Sequence, residues 1–219
     1  MNATSITQWV ANKIAKHDNV KSVNIVDGKI HVCREKGEDV IVAAMSARRV
    51  DAHTVESLLK EVGGVDFVTN IPKDAYILGD TYQLASDNNF GFGGFGDLLS
   101  ALNLPSPRGY ISSEFAFVLR SLRQHTKVQN VTRLDDRRLL IDRHGLESVV
   151  VLVLNDYEIA AEHVRAGIDK YGQFQAIVRS NPNSRVTSEA STAAEEAGIG
   201  ILSWKELMGE LNRKWKWKK

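Results

Sequence analysis

His17 to Lys29 reads HDNVKSVNIVDGK, and His125 to Arg137 reads HTKVQNVTRLDDR. Laid over each other at an offset of 108, the two stretches keep Val20/Val128, Val23/Val131 and Asp27/Asp135 in phase. One extra residue near Arg137 or Arg138 moves the offset to 109, which then runs without a gap from Glu38/Glu147 through Asn103/Asn212. Val40/Val149, Val42/Val151, Val55/Val164, Gly63/Gly172, Ala85/Ala194, Gly91/Gly200, Leu98/Leu207 and Leu102/Leu211 are identical along it. A repeat of this length restricts the chain more than any single motif does. Each copy is long enough to bury a core of its own, so the expected object is one α/β unit made twice.

The elements follow from periodicity and punctuation. Ile6, Trp9, Val10, Lys13 and Ile14 have helical spacing, with Thr4 or Ser5 as the expected cap. VKSVNIV, KIHVCRE and EDVIVAAM are short β-rich runs, and Asp27-Gly28 between the first two marks a tight hairpin. A helix capped by Asp51 and stopped at Gly63, a strand ending at Pro72, a helix from Asp80, a short glycine-rich strand and a last helix DLLSALN complete the unit. Two prolines and a glycine in LPSPRG (Leu104 to Gly109) then read as a connector.

The order restarts after the connector. A helix follows Ser112 or Ser113, then strands VQNVTRL, RRLLIDR and ESVVVLVL, helix YEIAAEHVRAGIDKYG and strand QFQAIVRS. A helix stopped at Gly198, a short strand IGILS and a helix capped by Ser203 end the second copy. The run VVVLVL (Val149 to Leu154) has no polar alternation, so it belongs to a strand covered on both faces. The expected fold class is α/β: two copies of a helix, three-strand, helix, strand, helix, strand, helix unit, each a central sheet flanked by helices. The expected divisions are 1–103, a linker at 104–110, and 111–219.

Composition excludes several classes. With 43% hydrophobic and 25% charged residues the chain is a folding one, not a disordered one. A net charge of +1 places any basic surface locally. A single cysteine, Cys33, excludes an intrachain disulfide and fits a reducing compartment. The N-terminus has no continuous apolar core, and the longest apolar run is far short of the roughly 20 residues that span a bilayer. The expectation is a cytoplasmic protein with no membrane span.

The order helix, three-stranded meander, helix, strand resembles the core of the restriction-endonuclease-like superfamily, the PD-(D/E)XK nucleases. From Phe174 to Leu211 the resemblance is to the Mrr branch, carried by QAIVRSNPNS, SEASTAAEEAG, IGIL and SWKELMGEL. Such nucleases hold Mg²⁺ with an acid on the second strand and an acid-x-Lys on the third. Here the second copy offers Asp142 on its second strand, but its third, VVVLVLN, has neither carboxylate nor Lys. The first copy's KIHVCRE and VIVAAMS also lack the set. The resemblance therefore implies two catalytically degenerate copies and no cofactor. An active Mg²⁺-dependent nuclease would have to combine Asp142 with displaced partners such as Glu147 or Glu158.

Other motifs are weaker. Gly91, Gly93 and Gly96 match G-x-G-x-x-G, but they follow a helix and sit late in the unit, so a packed strand is the expectation rather than a nucleotide loop. The six histidines have no metal spacing, and there is no G-x-S-x-G. Arg48-Arg49 and Arg137-Arg138 are local basic spots. RKWKWKK closes the chain, and Lys214, Trp215, Lys216, Trp217, Lys218 and Lys219 alternate charge with aromatic rings. That pattern suits clamping phosphates and stacking on bases, and equally suits a packed helix end. The function expected is a non-catalytic nucleic-acid-binding or assembly subunit, with nucleic acid or a protein as partner; a purely structural adaptor is the other alternative.

Overall fold

The computed structural model describes residues 3–217. It divides into two compact units, residues 1–112 and 113–219.

The first unit runs α1 (Ala3–Ile14), β1 (Val20–Val26), β2 (Lys29–Arg34), β3 (Val40–Met45), β4 (Arg49–Val50), α2 (Ala52–Val62), β5 (Phe67–Asn70), β6 (Tyr76–Ile77), α3 (Gly79–Asp87), β7 (Gly91–Gly94) and α4 (Phe95–Ala101). Its main sheet has the order β1-β2-β3-β5-β7, antiparallel through the first three strands and parallel from β3 on. The second unit runs α5 (Ser113–Arg123), β8 (Val128–Arg133), β9 (Arg138–Arg143), β10 (Leu146–Leu154), β11 (Glu158–Ile159), α6 (Ala161–Tyr171), β12 (Ala176–Arg179), β13 (Arg185–Val186), α7 (Ser188–Glu196), β14 (Gly200–Ser203) and α8 (Trp204–Glu210). Its sheet order, β8-β9-β10-β12-β14, is that of the first unit with the same directions.

Alternation decides which helix covers which face. Ile30, Val32, Val40, Val42 and Ala44 pack with Ile6, Val10 and Ile14 of α1 and Leu98 and Leu102 at α4. Ala43 and Val68 point the other way, against Val55 of α2 and Ala85 of α3. In the second unit Val149, Val151 and Val153 meet α5 and α8, while Leu152 and Ile177 meet Val164 of α6 and Ala190 and Ala194 of α7. Each fully buried Val, Leu or Ile contributes about 1.5–3 kcal/mol.

The duplication extends to polar detail. His17 accepts from the backbone N–H of Asn19 and lies 3.4 Å from the Asn103 amide; His125 accepts from Lys127 and lies 3.5 Å from the Asn212 amide. Trp9 and Phe95 form a tilted pair at 5.2 Å, and Phe117 and Trp204, their counterparts with ring types exchanged, one at 5.4 Å. The hairpin at Asp27-Gly28 has φ of 48° and 74°, the left-handed pair of a type I′ turn. The longer second-unit turn is organised by buried Asp135, which accepts from the backbone N–H groups of Arg137 and Arg138 and from the Arg138 side chain.

Three expectations are corrected. The first helix begins at Ala3, so Thr4 and Ser5 lie inside it rather than capping it. The two-residue ladders β4-β6 and β11-β13 carry no periodicity of their own, and β11 takes Glu158 and Ile159 out of the expected helix YEIAAEHVRAGIDKYG, which begins at Ala161. Residues 104–110 are not a free linker: they pack on the first unit, whose boundary falls after Ser112. Arg34 donates to the carbonyls of Leu102, Leu104 and Pro105, Arg108 pairs with Asp66 at 2.6 Å, and the Tyr110 hydroxyl donates to Asp97. Among the described residues no helix is long and apolar enough to cross a membrane.

Candidate functional site

Strands β10, β12 and β14 run parallel, and open α/β sheets bind ligands beyond the carboxyl ends of such strands. At this edge of the second unit Glu114, in the first turn of α5, accepts from Ser180 Oγ at 2.6 Å and pairs with Arg137 at 3.3 Å. Ser180 follows β12, where its backbone N–H donates to Leu154 at the end of β10. Arg179 donates to the Ser184 carbonyl at 2.6 Å, and Asp136 accepts from the Tyr171 hydroxyl at 2.7 Å. The positions aligned with Glu114 and Ser180 in the first unit are Ile6 and Ile71, both packed in its core. The Glu114–Ser180 pair therefore has no counterpart in the first unit, where Asn70 at the end of β5 bonds the backbone of Ala47 instead.

The acids of the nuclease alternative do not all converge: Asp142 and Glu147 lie at one end of the β9–β10 hairpin, where Leu146 pairs with Arg143, and Glu158 does not. Asp142 accepts from Ser148 Oγ at 2.6 Å and from Asn130 at 3.4 Å. Glu147 lies near the start of β10, while exposed Glu158 lies beyond its end. Nine residues of strand separate those ends by about 30 Å. No three His, Cys, Asp or Glu side chains among the described residues are grouped to hold a metal ion.

The glycine-rich strand is a packing device. A Cβ at Gly91 would lie 2.4 Å from the Phe67 ring and 2.5 Å from the Pro107 carbonyl, and one at Gly93 would meet Asp97 at 2.5 Å.

The C-terminal strap, residues 211–217, is a second candidate. Trp215 is 6% exposed and belongs to the core. Trp217 is half-buried, 5.5 Å from the Trp215 ring and packed over Gly200. A ring as buried as Trp215 offers no face to a base, so the expected stacking role is withdrawn for it. Lys214 and Lys216 alternate with the rings and are exposed; Lys218 and Lys219 lie outside the described residues. Lys216 and Arg213 both reach Glu210, at 3.3 and 3.8 Å.

Arg143 holds this strap in place. Its Nε donates to the Glu147 carbonyl at 2.8 Å, and its Nη1 to the carbonyls of Leu211 at 3.3 Å and Arg213 at 2.7 Å. Burial pulls its guanidinium below the ordinary arginine range, which the nearby Glu147 opposes. The strap, the Gly145 turn and Glu147 enclose a groove of about 240 Å³ lined by Arg143, Gly145, Leu146, Glu147, Lys214 and Trp215.

Neither Glu114, Ser180 nor Arg143 stood out in the sequence. One signal was present for Arg143: RLLIDR alternates, and its last Arg falls in the inward phase with Leu139 and Ile141, as Arg34 does with Ile30 and Val32. Comparisons with protein-family models, curated proteins and solved structures return no match to this chain.

Proposed function

We propose that the chain is a non-catalytic nucleic-acid-binding subunit whose second unit contacts the phosphate backbone through its strap. One observation carries this reading: Trp215 and Arg143 anchor the strap on the core, so exposed Lys214 and Lys216 are presented from an ordered segment, Lys216 paired with Glu210 at 3.3 Å. Cations on an ordered segment lose less side-chain freedom on meeting phosphates than cations on a loose tail. The charge split agrees: residues 113–219 hold 17 Lys and Arg against 14 Asp and Glu, whereas residues 1–112 hold 11 against 13. The resemblance in element order to the restriction-endonuclease-like superfamily supports the same class of partner, and the distance of Glu158 from Asp142 and Glu147 favours binding over cleavage.

The test is binding of the full chain to a mixed-sequence duplex at low and moderate salt, beside the variant Lys214→Glu/Lys216→Glu. Affinity should fall with salt, and the variant should flatten the slope of log K on log salt by about two, at roughly 0.9 per phosphate contact. Mg²⁺ should leave the duplex intact. No binding at low salt would overturn the reading, and Mg²⁺-dependent cleavage lost in Asp142→Ala would replace it with the nuclease alternative.

A further inference from the structure

Arg34 and Arg143 occupy the same place in the two copies, and each is 4% exposed. Each donates through Nε to a carbonyl four residues on, Glu38 at 2.6 Å and Glu147 at 2.8 Å. Each donates through Nη1 to carbonyls just past the unit's last helix. The copies then part. Arg34 Nη2 donates to the Pro105 carbonyl at 2.8 Å. In the second unit Lys214 stands at the position of Pro105, and Arg143 Nη2 is buried with no hydrogen-bond partner among the described residues. Trp215 Nε1 is in the same state, and its ring centroid lies 5.5 Å from the Arg143 guanidinium carbon. Both residues contribute to the lining of the groove that Lys214 borders, and a ligand oxygen reaches their two sealed donors only when the strap shifts.

A buried donor without an acceptor costs about 1–3 kcal/mol, and proteins satisfy the large majority of them. Here two lie side by side, in a frame whose sister copy satisfies the equivalent arginine with its own backbone. Arginine and the indole N–H donate and cannot accept, so what completes them is an acceptor. A guanidinium that stays charged, with a lysine beside it, selects an anionic acceptor, and its forked geometry matches phosphate oxygens. Glu147 in the lining opposes an anion, so the attraction of Arg143 and Lys214 has to outweigh it. The groove is smaller than the roughly 300–1,000 Å³ of sites for drug-sized ligands, so it suits one phosphoryl group with little attached.

We propose that Arg143, Trp215 and Lys214 form a phosphoryl-binding pocket on the second unit. Inorganic phosphate and the terminal phosphate of a nucleic acid present the same oxygens, and the test separates them. The ¹⁵N-labelled full chain is titrated with inorganic phosphate, with chloride at matched ionic strength, and with one oligonucleotide carrying or lacking a 5′-phosphate. The Trp215 indole signal is identified by its loss in Trp215→Phe, which keeps an aromatic ring in the core. That signal should shift saturably with phosphate and not with chloride. Trp215→Phe should bind phosphate about tenfold more weakly, the loss of one hydrogen bond to a charged group. Lys214→Gln, at an exposed position, keeps the fold and should also bind more weakly. A shift with inorganic phosphate and with the 5′-phosphorylated oligonucleotide, but not with the unphosphorylated one, identifies a nucleic-acid end as the source. A shift with inorganic phosphate, but no binding of either oligonucleotide, upholds the pocket and removes the nucleic-acid reading. An indole signal that ignores phosphate or follows chloride equally overturns the pocket, as does unchanged phosphate affinity in Lys214→Gln.

Discussion

Two tyrosines show how single side chains register their surroundings. The Tyr110 hydroxyl donates to Asp97 at 3.1 Å, and burial, reinforced by that carboxylate, pushes it up to about 12. Tyr171 donates to Asp136 at 2.7 Å, and burial followed by that acid raises it further still. Raised values mean that folding favours the neutral phenols. Their contribution to stability is complete below about pH 10, the unfolded value, and is lost as pH climbs through the folded values. In a tyrosinate absorbance titration, Tyr110→Phe and Tyr171→Phe should therefore each lose amplitude relative to the parent chain only above about pH 10. Loss of amplitude at about pH 10 instead would show that these hydroxyls are ordinary. Neither shift was legible in the sequence, because Asp97 and Asp136 reach their tyrosines only through tertiary packing.

At the scale of elements, the strap is the decisive piece. RKWKWKK reads equally well as a solvated tail or a packed one, since alternation of Lys and Trp fits both. Docking against Leu211 and the valines of β10 selects the packed form, and the Arg143 guanidinium supplies the donors that its carbonyls need. Replacing Trp215 with Ala removes a large buried ring and should cost about 3–5 kcal/mol, read as a lower urea midpoint at unchanged slope. A midpoint shift within error would mean that the ring is not in the core. The starts of α2 and α8, capped by Asp51 and Ser203, were legible. Ser203 and Glu206 form a reciprocal capping box at α8, and the hydrogen bonds from Ser203 hold the Glu206 carboxyl below its ordinary range.

For the whole molecule, the position of the boundary is the testable consequence. Proline and glycine in LPSPRG are right for a break in regular structure, which is the expected linker at 104–110. The chain indeed leaves helical geometry there, but Arg34, Asp66 and Asp97 capture the segment. A fragment of residues 1–112 should unfold cooperatively, as a unit with its own core does. The fragment 1–103 should be destabilised by several kcal/mol, because it strips Arg34 of two acceptors and leaves its charge buried. Equal stability of the two fragments would return the boundary to residue 103.

The sequence by itself determined the duplication, the order of the main elements, the hairpin at Asp27-Gly28 and the two-sided burial of VVVLVL. These rest on local periodicity and on turn chemistry that few residues other than glycine satisfy. Tertiary structure alone decided the fate of the two arginines. Arg34 and Arg143 are identical in type and alike in strand register, yet the Nη2 of Arg34 finds a carbonyl and the Nη2 of Arg143 does not. That difference depends on where the chain comes back 70 residues later, a distance over which sequence pattern carries no geometry. The same reason hid the Glu114–Ser180 contact: a helix start and a strand end meet only once the sheet is formed.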